Sequence, residues 1–161
     1  MHSLLGLSDP PPIYYDLTLP PATILTRQCH SLSERSLSEP ATNPPLSCIT
    51  VVVPGLPRGG TIVVTASRQH SFAAISDVLN EIHHVLRGYI SSADFHALPL
   101  ENRRRVKSAY DARCNRIRDT RAYQEEKRQG VKTVDFLMGL TKFMGLSRTR
   151  SEVDVWLLNV S

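Results

Sequence analysis

Two β-branched runs, SCITVVV (Ser47 to Val53) and GTIVVTA (Gly60 to Ala66), are joined by PGLPRGG, and no other feature narrows the fold as much. Valine, isoleucine and threonine suit a pleated, half-buried surface. A Pro/Gly connector between two such runs reads as a hairpin with a long loop. The unbroken valines predict burial on both faces, or on one face with a helix covering it. A helix follows at once. Ile75, Val78, Leu79, Ile82, Val85 and Leu86 recur at the spacing of one buried stripe, while Asp77, Asn80, Glu81 and His84 share the wet face. Ser76 as N-cap, Asp77 in the first turn and Gly88 as stop predict a helix over 76–87. Arg58 is expected to project from the hairpin loop as a solvated turn residue.

The second half continues in the same mixed style. SSADFHAL predicts a short helix, and Glu101 to Gln129 a long helical segment near 101–128 with an interruption at Asp119-Thr120. Its apolar stripe (Val106, Ala109, Tyr110, Cys114, Ile117) is narrow. Strands are expected near 131–138 and 153–160. In DFLMGLTKFMGL (Asp135 to Leu146) the Met-Gly-Leu unit recurs six residues on, an even step that keeps side chains on one face of an extended chain. That predicts a strand, a bend and a strand-like return, with Phe136, Met138, Phe143 and Leu146 in the core and the glycines at bends or close backbone approaches. The class expected is α+β: a mainly antiparallel sheet (hairpin 47–66 plus the two later strands) packed by helices. Residues 1–12 read as a flexible Pro-rich tail. Residues 13–161 read as one domain, with IYYDLTL as a short edge strand and a polar loop near 27–47 that is serine-rich over 31–38.

Composition removes several functional classes. No apolar run approaches the roughly 20 residues of a membrane-spanning helix, and the start lacks the basic region of a secretory signal. The three cysteines are an odd number without a CxxC, which argues against a disulfide framework and for a reducing compartment, cytoplasm or nucleus. The net charge of +4 is concentrated: residues 101–128 hold ten of the 19 Lys/Arg and five of the 15 Asp/Glu.

Several motifs are similar to those of a known family. Tyr15-Asp16-Leu17, EPATNPPL, SDVLNEIHHVL, AYDAR, GVKTVDFLMGLTKFMGL and VWLLNV occur in the order seen in a family of small proteins, a domain of unknown function, from mushroom-forming basidiomycete fungi. The resemblance covers most of residues 13–161, with Tyr15 where that family often has tryptophan. It implies one domain and a fungal origin, and brings no activity, cofactor or catalytic residue.

Motifs for chemistry are sparse. Asp77, Glu81 and His84 share a helix face, but di-metal carboxylate sites draw matching ligands from several helices and no second ExxH occurs, so no metal is expected. Neither a Gly-x-Ser-x-Gly elbow nor a P-loop is present, and no cofactor is implied. Asp135 is expected to bind a capping amide or the arginines of the long helix, since buried charges are usually paired. His83 is expected at the edge of the core. Asp16, His83 and Asp135 are the pocket candidates should the chain be a small-molecule binder or enzyme. The strongest signal outside the core is the run Arg103, Arg104, Arg105, Lys107, Arg113, Arg116, Arg118 and Arg121, interleaved with Tyr110 and Tyr123. It points to a non-enzymatic interaction module with an acidic protein partner, or to nucleic acid held by arginine and stacked on tyrosine.

Overall fold

The computed structural model describes residues 1–56, 59–68, 70–149 and 154–161; Arg58 and Val153 lie outside them. In chain order the elements are β1 (Ile13–Tyr14), β2 (Leu25–Thr26), α1 (Glu34–Leu37), β3 (Cys48–Val52), β4 (Thr61–Thr65) and α2 (Ile75–Leu86), followed by α3 (Ser92–His96), α4 (Leu100–Asn115), α5 (Thr120–Gln129), β5 (Phe143–Arg148) and β6 (Val155–Val160). The fold is α+β. β1 and β2 form a small antiparallel ribbon, and the main sheet runs β4-β3-β6-β5. Its two outer pairings are antiparallel, and the central pairing of β3 with β6 is parallel, so the sheet is mixed.

The hairpin forms as its residues dictate. Cys48 pairs with Thr65 and Val52 with Thr61, so Ile49, Val51, Ile62 and Val64 all turn inward. α2 covers that face with Ile75, Val78, Leu79, Ile82 and Leu86 buried. Its start lies earlier than Ser76. Ala74 is the N-cap residue, and the Asp77 carboxylate reaches back 2.9 Å to the Ala74 N–H. The segment 101–128 divides into α4 and α5, with Asp119 capping α5 by accepting from the Ala122 N–H at 2.7 Å.

Two expectations fail for physical reasons. The strand near 131–138 is instead a 3-10 turn over Thr133–Leu137, because the Asp135 carboxylate takes the Lys132 N–H at 2.8 Å and Met138 turns left-handed at φ 53°. The two copies of the Met-Gly-Leu phrase therefore differ: the first closes this turn and the second lies in β5. Phe136, Phe143 and Leu146 are buried and Met138 is partly so. Nor is residues 1–12 a loose tail. Leu5 is fully buried, the Leu146 N–H donates to Leu5 O at 2.6 Å, and the Leu7 N–H donates to Leu146 O at 3.0 Å. Tyr15 O accepts from Phe143 N, and the Leu17 N–H donates to Thr141 O, so the arm lines the outer edge of β5. The polar loop is also laced down in its second half, where Ala41 and Thr42 are buried and the Ala41 N–H donates to Ala73 O at 2.9 Å.

Gly145 makes that arm contact possible. Its φ is +115°, and a Cβ there would lie 2.6 Å from Gly6 O and from the backbone of Leu7. Gly139, at φ +95°, has nothing within 4 Å of the same position. Gly139→Ala should therefore cost only backbone strain, about 1–2 kcal/mol. Gly145→Ala should cost that plus the displacement of the arm, about 1–3 kcal/mol more. Denaturant midpoints of the two variants measure the difference, and equal losses would show that the arm contact contributes nothing.

Candidate functional site

Arg113 stands seven residues after Val106, on the inward side of α4. Its guanidinium is buried and saturated. Nε donates to Asp135 Oδ1 and Nη2 to Asp135 Oδ2, both at 2.8 Å, while Nη2 also donates to Gly130 O at 3.1 Å and Nη1 to Glu126 Oε1. Glu126 in turn accepts a two-pronged pair from Arg87, at 2.8 and 3.0 Å, and bonds from Lys132 Nζ at 3.1 and 3.2 Å. Arg113, Glu126, Lys132 and Asp135 are each under 9% exposed. One network thus joins the C-cap of α2, α4, α5 and the 3-10 turn.

The electrostatics follow from this packing. Burial opposes the charged form of Glu126, but the bonds from Arg87 and Lys132 outweigh it and hold its carboxyl down at about 2. Burial opposes charge on Arg113 as well, and its bonds and attraction to Asp135 and Glu126 leave its pKa raised. Lys132 is lowered, first by burial and then by Arg87, with Glu126 offsetting part of that.

Beside the network opens a cleft of about 400 Å³, lined by Thr18, Leu19, Pro20, His83, Arg87, Arg113, Arg116, Ile117 and Glu126. Arg116 is anchored on one side only, where Nη1 donates to Asp16 Oδ2 at 2.6 Å and to Thr18 Oγ1 at 3.3 Å. Asp16 also accepts the Thr18 N–H and hydroxyl. Burial opposes its charged form, and the bonds from Thr18 and Arg116 still bring its carboxyl below the ordinary range. His83 Nδ1 is buried without a hydrogen-bond partner among the described residues. A second hollow, of about 530 Å³, lies where the arm crosses β5 and includes Tyr14, Tyr15, Asp16, Lys142 and Met144.

The structure sorts the predicted residues. Arg104, Arg105, Lys107, Arg118 and Arg121 are exposed, and none has an ion pair among the described residues. Arg103 is half-buried, and its Nε has no hydrogen-bond partner among the described residues. Arg113 leaves the candidate surface altogether, and Arg116 is held by Asp16. The pocket candidates do not converge: His83 borders the cleft, Asp16 lines the second hollow and touches the cleft only through its partner Arg116, and Asp135 is spent inside the network. Tyr110 donates its hydroxyl to Lys127 O, with Arg113 and Lys127 stacked 5.5 and 5.4 Å from its ring centre, and Lys127 also lies over Tyr123. Asp77 is engaged in capping. Among the described residues no three His, Cys, Asp or Glu side chains form a metal-sized group, and no helix is long and apolar enough to cross a membrane.

A family model described as a family of unknown function, DUF6699, matches residues 13–153. The chain belongs to that family. No curated protein and no solved structure matches it. In this DUF6699 chain, the roles of Arg87, Glu126 and Lys132 are not legible in the sequence, because a buried, paired charge is written in the same letters as a solvated one. The available signal was Asp135 itself, a carboxylate amid Val134, Phe136 and Leu137 that demands a cationic partner.

Glu126 sets a pH dependence. Its folded pKa lies below its ordinary 4.5, so its stabilisation is present above about pH 4.5 and is lost as pH falls toward 2. At about 1.4 kcal/mol per pH unit the effect amounts to roughly 3 kcal/mol. Wild-type stability should fall across that window, and a Glu126→Gln variant, already less stable at pH 7, should fall by less. Parallel pH profiles for the two chains contradict this assignment.

Proposed function

We propose that the chain is a non-enzymatic interaction domain that docks an acidic protein segment on the outer side of α4. The observation that carries this reading is the set of exposed cations that have no ion pair among the described residues. Arg104 and Lys107 are one helical turn apart, Arg105 flanks them, and Arg118 and Arg121 extend the run into α5. Arg113, Arg116, Lys127 and Arg128 have their counter-charges within the chain. Exposed cations without such partners leave a positive surface that steers and orients an acidic partner. The network behind α4 gives the surface a fixed backbone. Nucleic acid is disfavoured because both interleaved tyrosines already carry cations on their rings, where bases would stack. The motifs shared with proteins of basidiomycete fungi support a fungal setting, and the reduced, odd cysteine set supports the cytoplasm, with the nucleus as the other compartment.

An array of acidic peptides tests the reading with wild type and an Arg104→Glu/Arg105→Glu/Lys107→Glu variant. Wild type should retain acidic peptides at low salt and release them as salt rises, and the variant should bind about tenfold or more weakly. Unchanged binding removes α4 as the docking face. Tighter, steeply salt-dependent binding of mixed-sequence RNA assigns the face to nucleic acid instead.

A further inference from the structure

We propose that the cleft between α2, the α4–α5 corner and the Thr18–Pro20 turn binds a small monocarboxylic acid with a compact apolar body. This site is separate from the outer side of α4 and does not depend on what docks there. Its volume, about 400 Å³, falls within the range of small-molecule sites. Leu19, Pro20 and Ile117 supply apolar walls, and Arg87, Arg116 and His83 supply polar groups.

The arginines have different tasks. Arg113 holds Asp135 side-on through Nε and Nη2 and gives Nη1 to Glu126, so it forms fixed floor rather than a ligand contact. Arg116 is the complementary case. Only its Nη1 is engaged, so the Nε and Nη2 edge, the same edge with which Arg113 grips Asp135, has no acceptor among the described residues. Its side chain is 57% exposed. A guanidinium edge of that kind matches the two oxygens of a carboxylate.

Charge selects a monoanion. Arg87, Arg113, Arg116 and Lys132 face Glu126, Asp135 and Asp16, four cations against three carboxylates, which leaves a single positive charge to satisfy. A doubly charged phosphate ester would exceed it. Burial, followed by Arg87, His84 and Lys132, holds His83 below its ordinary value, so at neutral pH the imidazole is uncharged and adds no cation to this count. Its unpartnered Nδ1 is a buried polar atom of the kind that native chains rarely leave without a use.

Titration of the full chain with phenylacetate, followed by two-dimensional NMR, tests the proposal. The neutral isostere phenylacetamide and inorganic phosphate run in parallel. Phenylacetate should give saturable shifts centred on Leu19, His83 and Ile117 at millimolar concentration or below, and the other two probes should bind about tenfold or more weakly. Arg116→Gln should weaken phenylacetate about tenfold or more, while Arg104→Gln leaves it unchanged. Because Arg116 also braces Asp16, a second variant keeps the test clean: Leu19→Asp sets a carboxylate at a partly exposed wall, and should abolish binding without altering thermal unfolding. The proposal is overturned by absent or unsaturable shifts, by equal binding of phenylacetamide or phosphate, or by full binding to either cleft variant.

Discussion

Placing the Arg113 guanidinium inside the protein is the constraint on which the rest of the structure depends. Moving such a group out of water costs several kcal/mol, and only a saturated set of acceptors offsets that. Here the acceptors come from three places along the chain: Glu126 in α5, the Gly130 carbonyl at its end, and Asp135 in the following turn. α4 buries only two apolar side chains completely, Val106 and Cys114, so apolar contact alone holds it weakly. Charge supplies the remainder. The cations that face outward from α4 and the cleft at its end both inherit their positions from this buried contact.

A second constraint acts at the edge of the sheet. An unpaired edge strand is a template for unwanted association. On the β5 side the chain solves this with its own first residues, whose backbone pairs with Leu146 and Phe143. Gly145 lets that arm pass so close, and the arm then runs on to Asp16 and the Thr18–Pro20 turn that borders the cleft. The arm that covers the sheet edge therefore reaches the C-terminal end of α4 at the Asp16–Arg116 pair.

What the sequence makes legible follows from how strongly each pattern is repeated. The hairpin and α2 are readable because period-2 and period-3.6 patterns each recur several times among uncharged residues. The class α+β, the break at Asp119 and the pairing of Asp135 with an arginine or a capping amide are readable on local chemistry. The Thr133–Leu137 turn is not, because Val134, Phe136 and Leu137 are equally apolar in a strand and in a tight turn, and the capping bond of Asp135 decides between them. The arm is hidden because prolines signal extended chain whether or not it docks. Arg113 reads as one more member of a basic run, since nothing local distinguishes the arginine that turns inward from its neighbours.

A double-mutant cycle on Arg113 and Asp135, followed by denaturant unfolding, tests the central claim most directly. Arg113→Met and Asp135→Leu should each cost about 3–5 kcal/mol, because each strands a buried charge. The double variant should cost well under the sum, leaving a coupling of at least about 1–3 kcal/mol between two residues in one network. Additive losses, or singles that cost less than about 1 kcal/mol, would contradict the view that this buried pair sets the position of α4.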